Sequence, residues 1–423
     1  MCSWRDRFVK TKPWHAPLLG GTALILAALM VAYPKASWDA SVRGLAIWWD
    51  VLFPSLFPFF VLSEILLGFG IVHFLGKLLD PLMKPLFRIP GNGGFVLAMG
   101  FAAGYPVSAK LTTKLREQGL ISRIEGERLV AFTTTSDPIF LIGAVSIGFF
   151  GNPQLAGALA AVHYGSAIML GLLMRFYGTR QELSQNIAAG IPTAPASSAP
   201  SFSLRRAVRA MHEARIQDGR SLGELLRHAV VSSLQLMTIV GGLVVFFSVV
   251  LEVLTASQVM NTLYEALRML LPLLSLPDGL AEPLVGGLFE VTLGSKASAA
   301  PAEIPLYFKA ASAAFILSWS GLSVHAQVAS ILNGTDLRYL PFLAARAIHG
   351  VLSAALLLIF WKPLMATDSV FSRLDSSLPG TVPPSWSLAV ELLRFSCTMV
   401  AGMLLLSFFI SILSRLSSPL RRK

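Results

Sequence analysis

Long apolar runs alternate with short basic segments along most of this chain. Runs near 16–33, 46–69, 129–150, 154–174, 228–255, 306–332, 339–361 and 388–413 each hold roughly the 20 residues a helix needs to cross a hydrocarbon core of about 30 Å. They predict about eight transmembrane helices. Two further apolar stretches, 92–110 and 281–300, are interrupted by Gly, Pro, Ser and Lys. Broken backbone at membrane depth is tolerated only where protein or a water-filled cavity surrounds it. These two stretches are therefore expected to be re-entrant helical hairpins.

The interrupted stretches resemble each other. One runs from Gly100 through Gly104-Tyr105-Pro106 to Lys110, the other from Gly286 to Leu293-Gly294-Ser295-Lys296, and each puts a lysine ten residues after a glycine. A span with a polar middle follows each: Thr133-Thr134-Thr135-Ser136-Asp137-Pro138 after the first, and Ser318-Trp319-Ser320-Gly321-Leu322-Ser323-Val324-His325 after the second. Pro138 removes a backbone donor and Gly321 weakens the helix, so both spans are expected to be broken. A weaker echo precedes each hairpin, Phe59-Phe60 with Glu64 against Phe246-Phe247 with Glu252. Paired interrupted segments in corresponding halves point to a transporter's binding site.

Charge orients the layout. With the N-terminus inside, Lys77, Lys84 and Arg88 fall on the inner side on an interfacial helix, and the first hairpin returns Lys114, Arg116, Arg123 and Arg128 to that side. The linker 178–227, with Arg205, Arg206, Arg209, Arg215, Arg220 and Arg227, and the tail Arg421-Arg422-Lys423 also fall inside. The hairpins then enter from opposite faces, as in an inverted repeat. Five segments follow: 1–44, an inner segment with the first span; 45–177, the first repeat; 178–227, the basic linker; 228–361, the second repeat; and 362–423, an outer loop, last span and basic tail. Within the linker, Ile191 to Ser203 is expected to be disordered, and the basic stretch after it to be helical along the anionic inner leaflet.

Composition agrees with a polytopic membrane protein. The chain is 54% hydrophobic and 13% charged with mean hydropathy +0.66, whereas soluble domains carry about 25% charged residues. The net charge of +11 sits between spans, so it marks topology and not nucleic-acid binding. Cys2 and Cys397, at opposite ends, suggest neither a disulfide framework nor a thiolate metal site. The basic start followed by 16–33 lacks a small-residue cleavage site and is read as a retained span. No Walker loop, His-Glu-x-x-His helix or Gly-x-Ser-x-Gly elbow occurs, so neither ATP-driven pumping by this chain alone nor intramembrane catalysis is expected.

The candidate substrate-binding residues follow from the breaks. Gly104, Tyr105 and Pro106 form one hairpin tip. Lys110 and Lys296 suit an anionic solute, since an ammonium offers a point charge to a carboxylate; snorkelling to the rim is the competing account. Ser108, Thr292 and Ser295 flank the tips as hydrogen-bond donors or as small packing residues. Thr134, Thr135, Ser136 and Asp137 are expected to line a cavity, with Asp137 alternatively pairing with a lysine. Ser320, Ser323 and His325 form the matching polar face, where His325 would meet a carboxylate, relay a proton or pack. Glu290 is close enough in sequence to neutralise Lys296. His163, Arg346 and His349 lie in spans, with the last two a turn apart and read as structural.

Three stretches carry a family resemblance: Phe95 to Val107, Leu115-Arg116-Glu117-Gln118-Gly119-Leu120, and Phe132 to Pro138. They resemble the sporulation integral membrane protein family YlbJ/SpoVV over most of 45–361. That resemblance implies two nucleoside-recognition "Gate" repeats, similar to the hairpin-plus-broken-helix halves of concentrative nucleoside transporters. It further implies transport of dipicolinic acid, a planar pyridine dicarboxylate, across the outer forespore membrane. The expected partners are a small anionic solute and the lipid bilayer, with a homo-oligomer left open and no nucleic acid. No cofactor is expected, and the coupling ion, H+ or Na+, is left open. Two alternatives stand beside this reading: a carrier of nucleosides or other neutral solutes, and a non-transporting sporulation assembly or signalling protein.

Overall fold

The computed structural model describes residues 15–178, 203–366, 401–402, 404–410 and 412. Among them every regular element is helical. Helix α1 (His15–Ala32) meets α2 (Pro34–Ala46) at a bend of 102°. Pro34 begins α2, where its missing N–H costs nothing but stops α1 from continuing. Helix α2 runs through a π-helical stretch, Ile47–Leu52, into α3 (Phe53–Gly68). Gly70, at φ +76°, turns the chain into α4 (Ile71–Phe87). Helix α4 is amphipathic, burying Leu78, Leu79, Leu82 and Met83 and exposing Lys77 and Lys84.

The first interrupted stretch forms α5 (Asn92–Ala103) and α6 (Tyr105–Glu117), joined at Gly104. Helix α7 (Arg123–Thr133), opened by a Ser122–Glu125 capping box, ends at a non-helical break, Thr134–Asp137. A π-helical stretch, Ile139–Phe149, continues it, and α8 (Leu155–Met174) returns. In the basic linker, α9 (Leu204–Asp218) packs so closely on the start of α4 that a Cβ at Gly70 would lie 2.7 Å from the Met211 carbonyl. Helix α10 (Leu222–Ala256) has 35 residues, a length of about 50 Å, so it exceeds the hydrocarbon core.

Beyond α11 (Val259–Leu270), the second interrupted stretch forms α12 (Ala281–Phe289) and α13 (Val291–Ala299), joined at Glu290. Glycines let its two arms touch: a Cβ on Gly294 would fall 2.2 Å from the Gly287 Cα. Helices α14 (Leu306–Trp319) and α15 (Gly321–Leu332) are one span broken at Ser320, followed by α16 (Tyr339–Ile359) and α17 (Trp361–Ala366).

Four helical stretches are long and apolar enough to cross a membrane, 155–174, 222–256, 306–332 and 339–359, and six if two bent pairs each count as one span. Eight uniform spans do not appear among the described residues. The stretch 129–150 is divided into a helix, a break and a π-helical half, and 46–69 is continuous with α2 instead of standing alone. The interrupted stretches 92–110 and 281–300 fall on the pairs α5–α6 and α12–α13, and α6 continues to Glu117. The N-terminal basic residues, most of 178–203, the outer loop 367–387, most of the last span, the basic tail and both cysteines lie outside the described residues.

Ion pairs collect the ends of several elements. Arg116 of α6 binds both Asp336 oxygens, at 2.8 and 2.9 Å. Arg338 donates to Glu127 of α7 at 2.9 Å, and Tyr177 donates to the same carboxylate at 2.7 Å. Arg128 donates to the Arg88 carbonyl at 3.1 Å. The feet of the first hairpin, the start of α7, the end of α8 and the turn between α15 and α16 therefore share one end of the bundle. The feet of the second hairpin meet elsewhere, in a separate apolar cluster of Leu271, Leu280, Ala281 and Ile304.

Candidate functional site

Each hairpin break packs against the break of the span that follows it. Gly104 adopts φ +87° and ψ −172°, and a Cβ there would lie 3.2 Å from both Cβ and Oδ2 of Asp137. Glycine thus allows a left-handed corner and a close approach at once. Asp137 in turn accepts the Phe140 N–H at 2.8 Å, capping the half-helix that begins there. Ser108 of α6 donates to Thr134 Oγ1 at 3.0 Å, and Thr135 donates to the Gly100 carbonyl at 3.3 Å, so hydroxyls stitch the two breaks together.

In the second repeat the roles are exchanged. The carboxylate is on the hairpin: Glu290 is buried and accepts the Leu293 N–H at 2.7 Å, capping α13. The glycine is on the broken span: Gly321, at φ +72°, approaches so closely that a Cβ would lie 3.0 Å from Val291 N and 3.1 Å from the Phe289 carbonyl. Trp319 donates to the Leu288 carbonyl at 3.2 Å, and Ser298 pairs with Ser312 at 3.0 Å. Each repeat therefore has one left-handed glycine facing the other partner's break, and one carboxylate on a half-helix N-terminus. Negative charge is stabilised there by the helix dipole and unsatisfied N–H groups.

A buried polar hub joins the two broken spans from behind. Arg346 of α16 is fully buried and donates through Nε to the Ser318 carbonyl at 2.8 Å; its terminal nitrogens reach the Thr134 and Ser318 carbonyls and His349. Those carbonyls belong to the C-terminal ends of α7 and α14, where helices leave acceptors unpaired and where the dipole attracts a cation. His163 Nε2 accepts the Ser136 N–H at 3.0 Å, so the neutral ring carries its proton on Nδ1 and donates to Ser318 Oγ at 2.8 Å. His349 Nε2 donates to the His163 carbonyl at 2.9 Å. Tyr164 donates to the Ser136 carbonyl at 2.9 Å and Tyr105 to the Leu317 carbonyl at 2.6 Å. These contacts satisfy acceptors and donors that the two breaks free.

In front of the hub lies a cavity of about 50 Å³, lined by Tyr105, Pro106, Asp137, Glu290, Thr292, Ser323 and Gln327. Its apolar wall is Leu52, Phe140, Val240, Val244, Val291 and Val324. Space of that size holds a few waters. Ser323 is 1% exposed, and its hydroxyl has no hydrogen-bond partner among the described residues.

The expected site residues divide accordingly. Tyr105, Pro106, Asp137, Thr292 and Ser323 line the cavity; Gly104, Ser108, Thr134, Thr135, Ser136 and Ser320 shape the breaks behind it. Ser295 is buried away from it with its hydroxyl unpaired among the described residues. His325 is held by the Trp319 carbonyl at 3.0 Å and the Tyr339 hydroxyl at 2.7 Å. The two lysines are not equivalent. Lys110 pairs with the buried Glu64 at 3.0 Å and with Ser232 Oγ at 3.0 Å, and Lys114 reaches the same carboxylate. Lys296 is exposed. Neither lines the cavity, because each stands about a turn and a half beyond its break, and Glu290 faces its own helix N-terminus. Glu290, close enough in sequence to neutralise Lys296, instead caps α13, and the apolar wall is not among the residues the sequence marks. The Arg346, His163 and His349 hub had a signal, three titratable groups inside apolar runs.

The family described as nucleoside recognition, "Gate", matches residues 50–204, which hold the first hairpin and first broken span. The chain is 44% identical over 381 residues to the sporulation integral membrane protein YlbJ of Bacillus subtilis (strain 168), covering 89% of this chain and 91% of that protein. It is 28% identical over 152 residues to an uncharacterized protein of Alkalihalophilus pseudofirmus, covering 32% of each. No solved structure matches. With that identity along nearly its whole length, the chain belongs to the family of the sporulation integral membrane protein YlbJ.

Proposed function

We propose that this protein is a transporter of a small organic acid, with the solute bound in the cavity where both hairpin breaks and both broken spans converge. The observation that carries the reading is that convergence: residues from all four breaks or their adjoining half-helices, Tyr105, Asp137, Glu290 and Ser323, line one cavity against an apolar wall. Half-helices meeting at such a point are how carriers present backbone ends to a solute at mid-membrane. The two hairpins enter from opposite faces as an inverted repeat, and their movement opens the cavity to one side at a time. The separate locations of the hairpin feet support that arrangement.

Dipicolinate is the proposed solute, taken from the family resemblance, and the outer forespore membrane is the proposed location, with both termini on the cytoplasmic side. The cavity as it stands holds only a few waters, so the hairpins must part to admit the ring; it then meets the wall of Phe140, Val240 and Val244, and its carboxylates meet Thr292, Ser323, Gln327 and the N-terminus of α15, which no side chain caps. Lys110 and Lys296 act outside the cavity, at most guiding the anion toward it. The protein acts as a carrier and not as an enzyme, and needs no cofactor. A neutral, hydroxyl-rich solute such as a nucleoside is the second reading, favoured by Asp137 and Glu290 as acceptors in a cavity without a basic side chain.

Uptake by the purified chain in proteoliposomes separates the two. Labelled dipicolinate is expected to accumulate and to be competed by unlabelled dipicolinate but not by nucleosides. Uptake of nucleosides alone would establish the second reading, and uptake of neither would overturn both.

A further inference from the structure

The cavity's charged lining is two carboxylates, Asp137 and Glu290, with no cationic side chain beside them. A small organic anion cannot settle between two negative groups unless charge is removed. One oxygen of each carboxylate accepts an N–H at a half-helix N-terminus, Phe140 for Asp137 and Leu293 for Glu290. Burial disfavours charge on such a group and the helix end favours it. The charge of whatever occupies the cavity then tips the balance. The unpartnered hydroxyl of Ser323, 1% exposed and on the cavity lining, marks the place a ligand would fill.

We propose that Asp137 and Glu290 carry the protons that accompany an anionic solute, one on each carboxyl, so that transport is proton-coupled. The inference rests on the organic-acid reading above and names its coupling ion. When a dianion enters, each carboxylate takes one proton from water and donates the new O–H to a carboxylate of the solute. No covalent bond forms or breaks in the solute, and two protons and one dianion cross as a neutral set. On the far side the solute leaves and both protons return to water.

The surroundings leave these two groups as the ones that respond. Facing Asp137 are the phenols of Tyr105 on α6 and Tyr164 on α8, with the Arg346 guanidinium of α16 beyond Tyr105. His163 is committed to Ser136 and Ser318. Facing Glu290 are uncharged groups, Thr292 on α13 and Gly321 at the break, with Val240 and Val244 of α10 on the same cavity wall. The nearest titratable group on α15, His325, is held by Trp319 and Tyr339. A metal cation fits less well, because the positive end of a half-helix points at each carboxylate. Among the described residues no group of three or more His, Cys, Asp or Glu is placed to hold a metal.

Infrared difference spectroscopy on the full chain in lipid nanodiscs tests this, with pyridine-2,6-dicarboxylate as the probe. Binding is expected to raise a protonated-carboxyl C=O band together with the pyridine ring bands. Asp137→Asn and Glu290→Gln, which keep size and a capping oxygen, should each remove about half of that band and the double variant all of it. Ring bands without the carboxyl band would overturn proton coupling while leaving the organic-acid reading intact. Absence of ring bands would overturn that reading, and the coupling with it. In proteoliposomes, uptake should acidify the lumen and efflux should alkalinise it; lumenal alkalinisation on uptake, or sodium-dependent uptake at constant lumenal pH, would refute the proposal.

Discussion

Replacing Arg346 measures how strongly the two broken spans depend on each other. Its guanidinium is buried at the C-terminal ends of α7 and α14 and serves Thr134, Ser318 and His349 together. Lysine keeps the charge but gathers its three donors on one nitrogen, so it lacks the planar fork by which the guanidinium reaches carbonyls of both breaks at once. Leaving one buried carbonyl unpaired costs about 1–3 kcal/mol. Methionine fills the space but leaves both carbonyls unpaired, about 2–6 kcal/mol by the same measure. Against this, methionine relieves the desolvation of a buried charge, which can reach several kcal/mol. The carbonyls prevail if Arg346 is there to hold the breaks, because they sit away from water at the ends of two separate helices. Expected stability is therefore parent above Arg346→Lys, and Arg346→Lys above Arg346→Met. Reversible denaturant unfolding in mild detergent, followed by fluorescence of the 8 tryptophans, gives the differences. Both variants within about 0.5 kcal/mol of the parent, the range of ordinary surface changes, or a methionine variant more stable than the parent, would refute the reasoning.

Other expectations follow from single features. Lys110 and Lys114 share Glu64, so Lys110→Gln alone should be mild. The double glutamine variant strands a buried carboxylate at about 3–5 kcal/mol and should exceed the sum of the singles in a double-mutant unfolding cycle. Gly104→Ala meets Asp137 at φ +87° and ψ −172°, a region essentially reserved for glycine where another residue costs about 1–3 kcal/mol; a lower melting temperature and lost uptake should appear together. Ser323→Ala removes an unpaired hydroxyl, so stability should hold or rise while the KM for dipicolinate increases. At the turn between α15 and α16, Arg116 holds the Asp336 carboxyl below the usual carboxylate range. A group lowered in the folded state adds stability above its unfolded pKa of about 3.9 and loses it as pH falls through the folded value. Melting temperature should therefore fall below about pH 4 through a component that Asp336→Asn abolishes.

The sequence by itself determined the class of the molecule and the sites of its breaks. Apolar runs with few charges leave no alternative to a membrane-spanning helical protein, and Gly104, Pro138 and Gly321 mark where helices fail because backbone propensity is local. The helix breaks inside 92–110 and 281–300 were legible for the same reason, as was the amphipathic α4. The number of uniform spans was not, since window hydropathy registers 129–150 as one apolar run although its polar centre is non-helical. The lysines misled: position along the chain matches them, but the side chains emerge a turn and a half past each break, one against Glu64 and one exposed. Only the tertiary structure decided that Asp137 and Glu290 exchange places between the repeats and share a cavity, and that Arg346 closes the spans behind it. Those relations join residues up to 212 positions apart, and a pairing across such a distance is set by how helices pack, which no local pattern in the chain records.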